Sequence, residues 1–367
     1  MKLSLRYRVD KKIRAAVMWV MRSLTPRTPA QQLDLRRQHI KKILLVRSSF
    51  RMGGSILGTP AIFMFRKSFP GARIDFVGSA ISKALFDGLP IDHYYEAERH
   101  FPKVCWSYIA LLRQIRAVGY DLAVDVSGSS AALGSFIVGF SGARFRAGLR
   151  GKWDHWFNAR FARPTDKNKY GSLPELLRSM GLEEKHTLPT LTLSANEKKA
   201  GKTRLTRVVG CADSLVIGIF VGGRKTRGKR WDSGKFVELA GNLRRRGAEV
   251  VIFLGPEEHD WIGYFQHVLG WRAAVVFEPD PRIFAAMVAN CTLFIACDSG
   301  PMHLACALRV RTIAIFLQDN FKRWGPPPRV ARIVYGPHGV TVQDVLEAVL
   351  LEVSSVSEKT TPGSVGK

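Results

Sequence analysis

Short apolar runs alternate with amphipathic stretches along the first half of the chain. Runs of five or six apolar residues are typical of buried strands, and apolar positions at helical spacing predict helices between them. The predicted strands are residues 42–46, 72–77 and 122–126. The predicted helices are residues 55–69, 106–118 and a small-residue helix around 131–140. A glycine-containing loop, residues 48–54, joins the first strand to the first helix.

The same alternation returns in a second series that begins near Leu215. Its predicted strands are residues 215–220, 250–254, 293–297 and 312–317. Its predicted helices are residues 233–246, 282–289 and one that opens at Met302. Such alternation predicts an α/β protein with parallel sheets covered by helices on both faces. Ligands of such folds bind at the carboxyl ends of the strands, so we expect two doubly wound domains facing a central cleft.

Composition divides the 367 residues into four regions. Residues 1–41 form a basic, amphipathic lead-in, and residues 42–185 the N-terminal domain. The segment 182–194, with Pro189 and alternating Thr and Leu, is the predicted linker. Residues 186–352 form the C-terminal domain, and 353–367 a Ser/Thr/Lys/Gly-rich tail predicted to be disordered.

The chain is strongly basic, with 56 Lys and Arg against 30 Asp and Glu and a net charge of +26. Three segments hold most of the excess: +10 in residues 1–42, +6 in 143–169 and +7 in 201–230. Such charge indicates an anionic partner, namely nucleic acid, an acidic membrane or a phosphorylated small molecule, unless it only solubilises the surface. Because no nucleic-acid recognition motif is present, we do not expect a nucleic-acid partner.

The apolar runs of the lead-in are too short to span a bilayer. A helix over residues 11–22 would place Ile13, Val17, Val20 and Met21 on one side, with Trp19 beside them. With its excess of Lys and Arg, this pattern is typical of a helix lying on an anionic membrane surface. The alternative is a helix packed on the protein's own first domain.

Five cysteines occur: Cys105, Cys211, Cys291, Cys297 and Cys306. Their number is odd, and neither a CxxC pair nor a Cys/His ligand spacing is present. We therefore expect buried free thiols, with neither a metal site nor a disulfide framework.

The segment FIACDSGPMHLA joins a predicted strand to a predicted helix. Gly300 permits a tight turn, and Pro301 suits the first position of a helix. The N-terminus of that helix offers unpaired N–H groups to a diphosphate, and His303 in its first turn can donate to phosphate or sugar. The alternative is a plain helix cap made by Asp298 or Ser299.

Two further loops follow predicted strands of the same domain. In GGRKTRGKRW, Gly222 and Gly223 allow the backbone to approach a ligand closely. Arg224 and Lys229 belong to a basic loop that suits a pyrophosphate. The alternative is that these charges are only a solvated run on the surface. In GPEE, Glu257 can accept from a ribose hydroxyl or cap the next helix.

These motifs together resemble glycosyltransferase family 9, the lipopolysaccharide heptosyltransferases, over residues 42–350. The loop ending in Lys-x-Trp, the strand followed by Gly-Pro-x-Glu, the segment DSGPMHLA and Arg323-Trp324-Gly325-Pro326 match the family in the right order. The resemblance implies a GT-B fold and an inverting transfer from a nucleotide-diphosphate sugar, typically ADP-heptose, with no metal or other cofactor.

The resemblance also implies where each substrate binds. The donor would lie in the C-terminal domain, with Lys229 neutralising its diphosphate and Glu257 contacting the nucleoside. The segment that would hold the diphosphate and sugar comprises Asp298, Ser299, Gly300, Pro301, Met302 and His303. The acceptor would be a lipid-linked oligosaccharide bound by the N-terminal domain, on the cytoplasmic face of the inner membrane.

The first domain departs from the family at one position. Where the family has Gly-Asp in the loop before the first helix, this chain has Gly53-Gly54, so the carboxylate implied to be the general base is missing. Asp125 at a neighbouring strand end is the candidate substitute, unless it only forms a turn. Alternatively, the enzyme transfers slowly to a more acidic or differently activated acceptor, or the chain binds its ligands without catalysis. Candidate acceptor-binding residues are Arg47, Ser48, Ser49, Arg51, Gly53 and Gly54.

Overall fold

A computed structural model of the protein describes residues 16, 19–31, 34–97, 104–128, 132–182, 188–210, 215–223 and 228–360. Side chains are described in these ranges except at positions 36, 104–106 and 355–360. The chain divides into two compact units, Met1–Pro189 and Thr190–Lys367.

The first unit contains a six-stranded parallel sheet in the order β3-β2-β1-β4-β5-β6. Its strands are β1 Lys42–Val46, β2 Arg73–Gly78, β3 His93–Glu96, β4 Leu122–Asp125, β5 Phe145–Leu149 and β6 Ala159–Phe161. Its helices are α1 Met52–Ile56, α2 Thr59–Ser68, α3 Ala80–Leu85, α4 Val104–Val118, α5 Ala132–Phe140 and α6 Lys169–Ser179. Residues 19–24 are also helical.

The second unit has a parallel sheet in the order β12-β11-β10-β7-β8-β9. Its strands are β7 Val216–Phe220, β8 Glu249–Leu254, β9 Ala274–Phe277, β10 Leu293–Cys297, β11 Arg311–Phe316 and β12 Ala331–Tyr335. Its helices are α7 Ala195–Val209, α8 Ser233–Arg245, α9 Ile262–Leu269, α10 Pro281–Val288, α11 Gly300–Ala307, α12 Phe321–Trp324 and α13 Val342–Thr360.

Both sheets have the doubly wound order in which the first strand lies beside the fourth. The strand order reverses between β1 and β4 in the first unit, and between β7 and β10 in the second. Crossover connections leave a crevice at the carboxyl ends of such a strand pair, which is where these folds bind ligands. The structure thus confirms the predicted pair of doubly wound α/β units.

The central strands are buried along almost their whole length. β7 and β10 are buried at all five positions, as their continuous apolar sequences predict. Phe236 and Leu239 of α8 pack on one face of this sheet together with Phe265 of α9. This rigid support fixes the strand ends from which the polar loops emerge.

Several predicted elements differ from those observed. The single helix predicted over 55–69 is two helices, α1 and α2, because the chain turns at Leu57 and Gly58 before Pro60 occupies the first turn of α2. Helix α13 continues to Thr360, past residue 353 where the disordered tail was predicted to begin. Residues 361–367 lie outside the described ranges.

The second part of the lead-in is hydrogen-bonded to the first unit. The N–H of Thr28 donates to the carbonyl of His155 at 3.1 Å, and the indole of Trp156 donates to the Thr25 hydroxyl at 2.9 Å. Ile13 and Val17 of the predicted amphipathic helix lie outside the described residues. No helix within the described ranges is long and apolar enough to cross a membrane.

Candidate functional site

The polar groups of the second unit meet at the switch point between β7 and β10. Asp298 follows β10 directly, and Lys229 lies in the loop after β7. The ammonium of Lys229 forms an ion pair with Oδ2 of Asp298. The amide of Asn320, beyond the end of β11, donates to the same oxygen at 2.5 Å. Two loops therefore hold one carboxylate from both sides.

The basic loop is anchored by the tryptophan that ends it. Trp231 is buried against Phe236, and its indole N–H donates to the carbonyl of Val340 at 3.0 Å. Gly223 approaches the backbone of the same loop so closely that a Cβ would lie 2.7 Å from the carbonyl oxygen of Lys229. Only glycine fits at this contact, which sets the position of Lys229.

Arg230 and Glu258 form a second ion pair beside Gly222 and Gly223 of the basic loop. The Arg230 guanidinium donates to Oε1 of Glu258 at 2.6 Å and to the carbonyl of Gly223 at 3.0 Å. It also lies 4.5 Å from the ring centre of Trp261. Burial raises the pKa of Glu258, and the Arg230 charge opposes this shift. Arg230 thus ties the ends of β7 and β8 together.

Sequence reasoning singled out Glu257 and passed over its neighbour. Glu257 is exposed, which leaves its carboxylate accessible to a ligand, whereas Glu258 is buried. The charged character of Arg230 is visible in the sequence, but its pairing with Glu258 depends on two loops meeting in space. Arg224 lies outside the described residues.

Helix α11 begins immediately after Asp298 and Ser299. Ser299 occupies the N-cap position but makes no capping hydrogen bond, and its buried Oγ has no partner within the described structure. The alternative of a plain side-chain cap is therefore not observed. Gly300 opens the helix with Pro301 in its first turn, so the amide groups there and the partial positive charge of the helix end suit an anion.

Two residues of the first turn of α11 point into the protein. Met302 is fully buried and belongs to the core, so its side chain does not line the surface of the site. His303 is also buried, and its burial lowers its pKa to about 4. Its imidazole is therefore neutral at pH 7, so it can offer a ligand a hydrogen bond but no positive charge. The His303 ring lies 6.5 Å from that of Trp324.

The switch point of the first unit carries a cation of a different kind. Arg47 follows β1, is 7% exposed, and donates to the carbonyls of Gly54 and Val126 at 2.5 Å each. Burial lowers its pKa to about 10, with the nearby Asp125 opposing. Arg47 thus braces the loop between β1 and α1, whereas the side chain of Arg51 is exposed.

Asp125, the last residue of β4, is 4% exposed. Its Oδ1 accepts from the N–H of Ser127 at 3.0 Å, a turn-forming contact. Burial raises its pKa to about 6, against the effects of Ser127 and of the Arg47 charge. The Ser127 hydroxyl also bonds to Asp125, and it lies 3.5 Å from that of Ser48. These half-buried hydroxyls connect the buried carboxylate towards the surface.

Gly54, where the carboxylate was expected, lies within helix α1 and not in the predicted loop over residues 48–54, because the helix already begins at Met52. A Cβ on Gly54 would lie 2.2 Å from the Oγ of Ser49, so this hydroxyl stands where a side chain at position 54 would begin. Gly53 is buried within α1. The structure brings together Arg47, Ser48, Ser49, Gly53 and Gly54 at the carboxyl end of β1.

Asp280 caps α10 by accepting from the N–H groups of Arg282 and Ile283. Cys291, Cys297 and Cys306 are buried free thiols, as predicted. Cys211 and the side chain of Cys105 lie outside the described part. In that part, no three His, Cys, Asp or Glu residues come together in a metal-binding group.

Fold and site define a class of protein. Two doubly wound units, one with a lysine, a carboxylate and an uncapped helix N-terminus at its switch point, form the architecture of GT-B glycosyltransferases. The family model of glycosyltransferase family 9 (heptosyltransferase) matches residues 108–342. The chain belongs to this family and is a glycosyltransferase.

Named relatives agree with this assignment. Lipooligosaccharide heptosyltransferase 2 of Campylobacter jejuni is 23% identical over 284 residues, covering 75% of this chain and 81% of the relative. The structure of a family 9 glycosyltransferase from Veillonella parvula superposes with a TM-score of 0.78 at 18% identity, covering 89% and 100% of the two chains. The structure of E. coli heptosyltransferase WaaC with ADP superposes with a TM-score of 0.67 at 16% identity, covering 86% of this chain and 99% of WaaC. WaaC has also been solved with ADP-2-deoxy-2-fluoro heptose.

Proposed function

We propose that the chain transfers heptose, with inversion, from ADP-heptose to a lipopolysaccharide-type glycan. The observation that carries the proposal is the Lys229–Asp298 pair beside the uncapped N-terminus of α11, in a member of the heptosyltransferase family. This arrangement combines a cation for a diphosphate, an anion-binding helix end and a carboxylate for sugar hydroxyls.

The roles of the donor-site residues follow from their chemistry. The charge that develops on the leaving diphosphate is offset by Lys229 and by the backbone N–H groups at the start of α11, those of Ser299, Gly300 and Met302. Asp298 accepts from sugar hydroxyls, and neutral His303 donates one hydrogen bond. Exposed Glu257 accepts from the ribose. Because these groups supply the charge compensation, we assign no metal or other cofactor to the reaction.

Transfer requires a base for the acceptor hydroxyl. The acceptor oxygen attacks the anomeric carbon while the bond to the diphosphate breaks, and the diphosphate leaves with the electron pair. We assign the proton to Asp125, received through the hydroxyl of Ser127, because Gly54 offers no carboxylate. A carboxyl with a pKa of about 6 is ionised at pH 7 and basic enough for this role.

One observation favours a second candidate function, binding without catalysis. Ser49 Oγ fills the space where a side chain at position 54 would begin, and Asp125 is buried. A chain of this kind would bind a nucleotide sugar or a lipid-linked glycan and leave the bound ligand chemically unchanged.

Turnover separates the two functions. The chain is incubated with ADP-heptose and a panel of truncated lipopolysaccharide acceptors, and ADP release and product mass are measured. We expect ADP to form only with an acceptor that gains one heptose. A second protein carries Gly54→Asp with Ser49→Ala, because the hydroxyl would collide with the new Cβ, and Ser49→Ala alone is its control. Transfer by the double variant only would favour the binding function.

We further propose that the lead-in binds an anionic membrane surface, which would place the chain on the cytoplasmic face of the inner membrane. Trp19 and Leu24 are 67% and 76% exposed on helical residues 19–24. Arg22 lies on the same helix, and its guanidinium donates to the carbonyl of Lys152 at 3.2 Å. Exposed aromatic and aliphatic side chains beside cations are typical of interfacial helices.

The membrane proposal is tested with vesicles containing phosphatidylglycerol. Deleting residues 1–30 would also remove the hydrogen bonds of Thr25 and Thr28, so point variants are sharper. Trp19→Glu with Leu24→Glu should weaken vesicle binding about tenfold or more while ADP binding is unchanged. Val208→Glu, an exposed position in the second unit, is the control. Equal vesicle binding by all three proteins would contradict the proposal.

A further inference from the structure

Asn320 is a polar residue of the donor site that neither the sequence motifs nor the resemblance singled out. It precedes the short helix α12, where Asn commonly caps the helix with its side chain. Here the side chain makes no capping bond. Its amide instead donates to Oδ2 of Asp298 at 2.5 Å.

The sheet order explains why these groups meet. β10, which carries Asp298 at its end, lies between β7 and β11. Lys229 reaches Asp298 from the loop after β7, and Asn320 from the loop after β11. The two loops also approach each other, since a Cβ on Gly228 would lie 3.0 Å from the side-chain amide of Gln318. The loops after β7 and β11 therefore lie side by side, and each supplies one donor to the Asp298 carboxylate.

The two donors to Asp298 differ in charge, and this decides what happens when a donor substrate binds. A diphosphate carries more negative charge than one carboxylate, so it draws the ammonium of Lys229 towards itself. The Asn320 amide carries no net charge, so a diphosphate attracts it less than it attracts the ammonium, and we expect the amide to stay on Oδ2. Asp298 then keeps its orientation, and its other oxygen remains able to accept from a sugar hydroxyl.

We propose that Asn320 is a positioning residue for the sugar of the donor, holding Asp298 in place after Lys229 has moved to the diphosphate. The inference rests on the proposed function, because it takes Lys229 as the diphosphate ligand and Asp298 as the sugar ligand. It assigns to Asn320 a role in discriminating a nucleotide sugar from the bare nucleotide.

Calorimetric titration of the full chain with ADP and with ADP-heptose tests this role. In Asn320→Ala we expect ADP affinity within twofold of the unaltered chain and ADP-heptose affinity about tenfold lower, because a hydrogen bond to a charged group is lost. A merely structural defect would lower both affinities together. Asp319→Asn is the matched control: the Asp319 side chain is 70% exposed and contacts Lys322, so both affinities should stay unchanged.

Asn320→Asp provides a second, independent measurement. It places a carboxylate beside Asp298, and the two negative charges hold Lys229 in the site. We expect both ADP and ADP-heptose to bind more weakly, with the larger loss for ADP-heptose. Equal affinities of Asn320→Ala and the unaltered chain for ADP-heptose would overturn the inference. If the unaltered chain binds neither ligand, the proposed function fails, and the inference with it.

Discussion

The two units have the same strand order, and each has a cation and an aspartate at its switch point. In the second unit, Lys229 and Asp298 contact each other, and both side chains are partly accessible, at 17% and 8% exposure. In the first unit, the Arg47 guanidinium is occupied by two backbone carbonyls, and Asp125 is buried against the turn at Ser127. The same topology therefore supports two different electrostatic arrangements.

This difference separates ligand binding from loop support. A lysine paired with one carboxylate can exchange that partner for a diphosphate, since both are anions. An arginine bonded to buried carbonyls cannot leave them without exposing unsatisfied groups, which costs about 1–3 kcal/mol each. We therefore expect the second unit to respond to anionic ligands and the first to keep its geometry.

Removing the carboxyl charge of the first unit should have the largest effect on transfer. Asp125→Asn deletes the assigned base, so the rate of heptose transfer should fall by roughly 10²–10⁴. ADP affinity, measured by calorimetry, should stay the same because the donor groups lie in the other unit. Transfer at the unaltered rate would show that Asp125 only forms the turn.

The matching change in the second unit is Lys229→Ala. Loss of the cation that faces the leaving diphosphate should lower the turnover number by roughly 10²–10³ and weaken ADP binding as well. Lys322→Ala is the control, since its ammonium is on an exposed side chain 3.5 Å from Asp319. An ADP affinity unaffected by Lys229→Ala would refute the assigned role.

A smaller effect, on ADP affinity, should come from changing Gly223 in the basic loop after β7. In Gly223→Ala the new Cβ would lie 2.7 Å from the carbonyl oxygen of Lys229, so the loop must shift and ADP affinity should fall about tenfold. Gly263→Ala in α9 is the control, because no atom lies within 4 Å of its added Cβ. That control should raise the free energy of unfolding by up to about 1 kcal/mol.

The smallest effects concern the pH dependence of stability. The pKa of His303 is about 4 in the folded chain and 6.5 ordinarily, so the unfolded state binds the proton first and stability falls as pH drops below 6.5. The pKa of Asp125 is raised to about 6 from 3.8, so its contribution to stability is lost as pH rises through 6.

Chemical denaturation from pH 4.5 to 8 measures both trends. Relative to the unaltered chain, Asp125→Asn should gain stability as pH rises, whereas His303→Gln should gain it as pH falls. Parallel curves for all three proteins would show that neither group titrates in this range.

Continuous apolar runs predicted the central strands well, although β9 was missed despite its apolar sequence AVVF. β1 and β10 have the predicted bounds because every position after the first is apolar and buried. β5, with the sequence FRAGL, was missed because Arg146 and Gly148 interrupt its apolar pattern. Gly148 fits there because the ring of Phe157 packs where its side chain would be.

The candidate site was predicted in part for the same reason. Asp298 and Lys229 follow predicted strands, so a parallel sheet brings them to one edge, and the structure shows them in contact. Asn320 and Glu258 were missed because nothing in their local sequence distinguishes them from residues of ordinary loops. Their significance comes from the groups that other loops place beside them.

The sequence by itself determined the central strands, the order of the motifs and therefore which of these residues reach the carboxyl ends of the sheets. Only the tertiary structure decided which partner each charged group has. Lys229 meets a carboxylate 69 positions away, whereas Arg47 meets a carbonyl 79 positions away. Burial and hydrogen bonding depend on such distant contacts, and they make one switch point suitable for an anionic ligand and the other a brace for its own loop.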